Sequence, residues 1–204
     1  MLYFISGNKN KFAEAKSVLP ELEQMEVPDL PELQSLDSKV VIAAKLKAAR
    51  DYVSENLPDF SGMIILEDTS LVIDSLNGLP GALIKHFVDT IGAEGIYKIS
   101  HAMGKQQGEA KAALEAEFRC ELGVLQVGGG NESNQNEHSQ PQFYSASIKG
   151  EIVEPRGVHG FGFDPAFLPE GSNKTFGELS GEEKAKYNPR RIVFEELKNL
   201  GAYT

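Results

Sequence analysis

The chain has 204 residues, a formal net charge of −10 and one cysteine. That length suits a single domain, or one domain in two lobes, with a full core. The acidic balance excludes a general nucleic-acid binder, which needs a basic face to displace counterions. Cys120 alone excludes an internal disulfide framework and suits a reducing compartment. The residues after Met1 offer neither a basic n-region nor a long apolar run, so no membrane partner is expected and the cytoplasm is the expected location.

Leu2 to Ser6 is a short apolar run ended by Gly7-Asn8, which predicts a buried strand entering a turn. Asn8 then caps a helix over 9–19, where Phe12, Ala15, Val18 and Leu19 recur at helical spacing. A strand–turn–helix start is typical of α/β folds that hold a ligand over the turn. Pro20, Pro28 and Pro31 keep the next stretch extended. Ile42, Leu46, Ala49 and Val53 form a helical stripe within 37–53. Met63 to Leu66 predicts a compact strand delivering Glu67 and Asp68 at its end. Gly78 to Gly81 is a tight turn, and 83–103 predicts one or two helices, broken near Gly92.

Further on, Ala116, Phe118, Cys120, Leu122 and Val124 alternate with polar residues, the period of a half-buried strand. Residues 143–153 supply a partner strand. Residues 128–142 between them predict a long mobile hairpin loop, and its His138 has no ligand-spaced partner. Ser180-Gly-Glu-Glu183 is a capping box opening a last helix that runs to about Asn199. With no repeat and no linker, 1–204 is expected to be one domain.

The run Gly157–Arg190 mixes aromatics, an aspartate, lysines and an arginine with glycines and prolines, and is hard to explain as core alone. It predicts a loop wrapping a flat polar ligand. Four carboxylates stand out: Glu32, Glu67, Asp68 and Asp164. Acids crowded in a cleft hold a hard cation through oxygen, and magnesium there would offset phosphate charge and lower the pKa of a bound water. For Glu67-Asp68 a capped turn after a strand is equally open. Lys11 sits in a first helical turn, where free N–H groups favour an anion. Lys45, Lys85 and Lys184 recur beside turns or acids; each alone reads as a solvated lysine. Phe161 and Phe163 flank Gly162, so on extended chain only one of the two rings faces a ligand. Arg190 could donate to a purine carbonyl, where an exocyclic amine would set donor against donor.

Together SGNKNKFAE, DLPELQ, EDTSLVIDSLNGLPGALIKHF and EPRGVHGFGFDPAFLPEG…TFGELSGEEK resemble the inosine triphosphate pyrophosphatase family, which clears non-standard purine nucleoside triphosphates. The four segments run nearly end to end, in order and with suitable spacing. The resemblance implies an elongated mixed β-sheet flanked by helices, with two lobes and an active cleft between them. It implies magnesium, with manganese as a possible substitute, and hydrolysis of ITP, dITP or XTP to the monophosphate and pyrophosphate. Carried over, Ser6, Gly7, Asn8 and Lys11 would bind phosphates, Glu32, Glu67 and Asp68 would hold magnesium, and Asp68 would activate water with Glu67 and Lys11 beside it. Lys45, Lys85 and Lys184 would neutralise the triphosphate. Phe161 would stack on the base, Gly162, Phe163 and Asp164 would shape its pocket, and Arg190 would touch the 6-oxo group. The implied assembly is a homodimer.

Three departures from the family pattern stand out. Asn188-Pro189-Arg190 replaces Ser-His-Arg, removing one base contact worth ~1–3 kcal/mol of discrimination. Leu83 stands where an aromatic commonly follows the turn. The 128–142 loop is longer than usual, a lineage-specific decoration by expectation. The alternatives are the same chemistry with shifted base preference, dUTP included, or a nucleotide sensor without turnover.

Overall fold

The computed structural model of the chain describes residues 1–31, 33–106, 114–128 and 140–201. These divide into two compact units: 1–31 and 33–68 with 120–128, 140–146 and 190–201, and 69–106 and 114–119 with 147–189. Most of the expected 128–142 loop, including His138, lies outside the described residues.

The chain opens β1 (Leu2–Ile5), α1 (Lys9–Val18), β2 (Leu22–Met25), α2 (Ser38–Asn56) and β3 (Gly62–Ile73). Strands β1 and β2 pair in parallel, as do β1 and β3. Parallel neighbours need crossovers, and the two helices supply them. The stretch expected only to be extended after Pro20 thus contains a sheet strand, β2. The chain continues with β4 (Pro80–Gly81), α3 (Ile84–Gln106), β5 (Glu115–Val127), β6 (Gln142–Ile152), β7 (Phe167–Pro169), α4 (Gly181–Ala185) and α5 (Pro189–Asn199). The mixed sheet has the order β2-β1-β3-β5-β6-β7, with β4 antiparallel to β3. The expected mixed sheet flanked by helices is therefore present.

Side-chain alternation along β3 layers the first unit. Ile65 packs with Phe4, Leu122, Ala15 and Leu19 of the α1 side and Val193, Phe194 and Leu197 of α5. Ile64 and Leu66 point the other way, against Ile42, Leu46, Ala49 and Val53 of α2. Gly123 belongs to that second face: a Cβ there would lie 2.3 Å from Ile42 Cγ2. The second unit closes around Leu71, Ile73, Ile84, Phe118, Phe163, Phe167 and Phe176. Its rings meet edge-on, Phe118–Phe163 at 5.0 Å and 86°, the geometry the ring quadrupole favours.

Two expected boundaries move. Strand β3 does not stop at Leu66 but runs through Glu67-Asp68 to Ile73, because Leu71, Val72 and Ile73 resume a β-forming run beyond the polar residues. That overturns the capped turn. The last helix is two helices: the capping box at Ser180 and Glu183 opens only α4, and α5 starts at Pro189. Proline excludes the residue before it from helical backbone and suits the first helical position. Gly92 breaks α3 as expected, at φ 66° and ψ −179°. No helix among the described residues is long and apolar enough to cross a membrane.

Candidate active site

In the first unit, the turn after β1 is built by short local bonds. The Asn8 N–H donates to Ser6 Oγ at 3.2 Å. Asn8 Oδ1 accepts from the Asn10 and Lys11 amides at 2.9 and 3.2 Å, capping α1. The Asn8 side chain thus organises the helix start. At Gly7 the space a Cβ would fill is open. Lys11, one turn in, reaches Glu67, with Nζ 3.2 Å from Oε1.

Because β3 continues, Glu67 and Asp68 project to opposite faces of the strand. Glu67 falls on the α1 and α5 side. Arg190 Nε and Nη2 donate to its Oε2 and Oε1 at 2.6 and 3.0 Å, and Arg190 Nη1 donates to Glu14. Arg190 is only 2% exposed. Burial alone would push the Glu67 carboxyl up, but the charges of Arg190 and Lys11 outweigh it and hold the group at about 2. Burial likewise opposes the charge of Arg190, and Glu67 reverses this, keeping the guanidinium protonated. Cys120 lies on the same face; burial, then the Glu67 carboxylate, push its thiol well up.

Asp68 falls on the α2 side, within reach of the charges of Lys45 and Glu121. Its Oδ2 is buried with no hydrogen-bond partner. Burial raises its pKa to about 6, with Glu67 and Glu121 adding to the rise and Lys11 and Lys45 opposing it. A buried carboxylate oxygen lacking a donor is open to a proton or to a hard cation. No group of three or more His, Cys, Asp or Glu among the described residues is arranged to hold a metal, and Glu32 lies outside them. A divalent cation held in part by waters and phosphate oxygens needs only one or two carboxylates.

The second unit holds another constellation. Lys184 Nζ is 2.7 Å from Asp164 Oδ2 and 5.1 and 5.2 Å from the ring centroids of Phe161 and Phe176. Asp164 Oδ2 also accepts the Phe161 amide at 2.9 Å. Gly160 makes this possible: its φ is +79°, and a Cβ there would lie 2.1 Å from that same oxygen. Phe163 is a core ring and Phe161 is half-buried. Gly162 is exposed between them, and Lys85 is exposed in the first turn of α3.

The expected site residues therefore form two sets. Ser6, Gly7, Asn8, Lys11, Lys45, Glu67, Asp68 and Arg190 belong to the first unit; Lys85, Phe161, Gly162, Phe163, Asp164 and Lys184 belong to the second. Arg190, expected at a base edge, meets two carboxylates. Lys184, expected on phosphates, is joined to the aromatic group. Sequence reasoning missed Glu14, Glu121 and Phe176. Glu14 stands three residues after Lys11, hence on the same helix face. Glu121 alternates with buried Cys120 along β5. Phe176 carried no signal beyond its place in the aromatic-rich run.

A dITP/XTP pyrophosphatase of Methanopyrus kandleri is 40% identical over 199 residues, spanning 95% of this chain and 92% of the relative. An inosine triphosphate pyrophosphatase of Schizosaccharomyces pombe is 30% identical over 98% of this chain and 94% of its own. The solved structure of a HAM1 protein from Coxiella burnetii shares the fold, with a TM-score of 0.74 at 23% identity over 98% of this chain and 96% of that one. The Ham1 family model matches residues 2–200, so this chain belongs to the Ham1 family.

Proposed function

We propose that this protein hydrolyses ITP, dITP and XTP to the monophosphate and pyrophosphate, removing them from the nucleotide pool. The observation that carries the reading is Asp68, a buried carboxylate with an orphaned oxygen and a pKa raised by burial to about 6. A base acts best with a pKa near the working pH. The oxygen of a water bonds to the α-phosphorus, its proton passes to Asp68, and the bond from that phosphorus to the bridging oxygen breaks. The electron pair of that bond leaves with pyrophosphate. A magnesium ion, with manganese as substitute, would be held by Glu32 and the phosphate oxygens and would screen the phosphate charge, leaving Asp68 to take the proton. The Ser6–Asn8 turn, Lys11 and Lys45 serve the phosphates, as does the exposed Lys85.

Phe161 is assigned to the base by stacking, worth ~1–3 kcal/mol and indifferent to base identity. Discrimination then falls to a donor at the ring edge. Lys184 stands beside Phe161 and has only donors to offer, so it donates to a 6-oxo group and opposes a 6-amino group. This gives Lys184 the role expected of Arg190. A homodimer acting in the cytoplasm is the assembly and place proposed.

The test is product analysis with magnesium over ITP, XTP, dITP, GTP, ATP, dUTP and CTP. Pyrophosphate release led by ITP and XTP is expected. A profile led by dUTP would move the base preference, inorganic phosphate would move the attack to the terminal phosphorus, and no product would make the protein a nucleotide sensor.

A further inference from the structure

Four ionised side chains of the first unit form a closed circuit. Glu14 on α1 accepts from Arg190 on α5, Arg190 forks onto Glu67 on β3, and Glu67 Oε1 holds Lys11, again on α1. Glu14 and Lys11 are three residues apart on one helix, so the circuit begins and ends on a single turn. The Arg190 and Glu67 side chains are 2% and 1% exposed, whereas that of Lys11 is 18% exposed. Glu14, 27% exposed, and Lys11 are thus the members that reach solvent, and Lys11 does so directly beside the capped Ser6–Asn8 turn.

We infer that Arg190 and Glu14 are positioning residues of the phosphate subsite, holding Glu67 so that it fixes Lys11 over the start of α1. A free lysine gives up rotamer freedom when it closes on a ligand. One already anchored by a rigid carboxylate gives up less, and binding gains accordingly. Glu67 is rigid because the guanidinium is a planar fork matching both carboxylate oxygens. Lysine in place of arginine keeps the charge and loses that fork. The inference rests on the pyrophosphatase reading for calling the subsite a phosphate subsite, yet its test requires no turnover.

The probe is inorganic tripolyphosphate, which has the phosphate chain and no base. Its affinity is measured by calorimetry with magnesium for the native protein, Arg190→Lys, Glu14→Gln and Glu14→Asp. In parallel, kcat/KM is taken for ITP and ATP. Arg190→Lys is expected to weaken tripolyphosphate binding by roughly tenfold, the scale of one charge-assisted hydrogen bond. Glu14→Gln should weaken it less, Glu14→Asp should recover part of the loss, and the ITP-to-ATP ratio should not move. Unchanged tripolyphosphate affinity in the variants would overturn the inference, as would a collapsed ITP-to-ATP ratio, which would return Arg190 to the base. Thermal unfolding checks each variant. If Arg190→Lys fails to fold, the two Glu14 variants decide, since that side chain lies at the solvent end of the circuit. A native protein that binds no tripolyphosphate overturns the inference, while pyrophosphate release judges the pyrophosphatase reading separately.

Discussion

Arg190 and Glu67, 123 residues apart in sequence, share two hydrogen bonds of 2.6 and 3.0 Å in the interior of the first unit. Removing one partner strands the other charge. Arg190→Met should therefore cost about 3–5 kcal/mol of stability. Combining it with Glu67→Gln should restore part of that loss, because the buried charge is then gone from both sides. Urea unfolding of the native protein, both single variants and the double variant measures this. Additive losses would show that the two residues do not act as a pair.

The two acids of β3 should titrate with opposite signs. Glu67 is lowered from 4.5 to about 2, so its contribution is complete above pH 4.5 and is lost as pH falls toward 2. Asp68 is raised from 3.8 to about 6, so the folded state binds its proton more tightly and stability declines as pH rises from 3.8 through 6. Asp68→Asn removes that decline. In metal-free protein at pH 7 the variant should be more stable by about 1–3 kcal/mol, with the gap closing below pH 4. Unfolding curves with a chelator across that range supply the check; a variant less stable at pH 7 would contradict the assigned shift.

The two phenylalanines beside Gly162 should behave differently. Phe163 packs edge-on against Phe118 and Phe167, so Phe163→Ala should cost about 3–5 kcal/mol of stability. Phe161→Ala should leave stability nearly intact and weaken nucleotide binding by about 1–3 kcal/mol, with tripolyphosphate binding unaffected. Equal loss for tripolyphosphate would remove Phe161 from the base.

Gly160 is the backbone counterpart of Asp164. Gly160→Ala adds a methyl 2.1 Å from the Asp164 carboxylate at a positive φ. Asp164 must move, and Lys184 with it. The expected outcome is a folded protein whose preference for ITP over ATP falls toward that of Lys184→Met. Retained preference in both variants would take Lys184 out of base selection.

How far the sequence carried these assignments depended on how local the cause was. The Asn8 cap, the Ser180 capping box and the break at Gly92 arise within a few residues, and all were legible. The polar run from Glu67 to Ser70 hides the continuation of β3; only the sheet explains why a strand should carry charges inward. The Ser180 capping box signals a helix start, and it is Pro189 that splits the last helix in two. The residue types of the candidate site stand out in the sequence, but their partners do not. Nothing local ties Arg190 to Glu67 and Glu14, or Lys184 to Asp164 rather than to phosphate, because those pairings arise from chain segments that meet only on folding.

The most direct measurement of the central claim is hydrolysis of ITP with magnesium in water labelled with heavy oxygen. Water attacking the α-phosphorus places the label in the inosine monophosphate and leaves the pyrophosphate unlabelled, which is the predicted result. Label in pyrophosphate, or in inorganic phosphate, would contradict it.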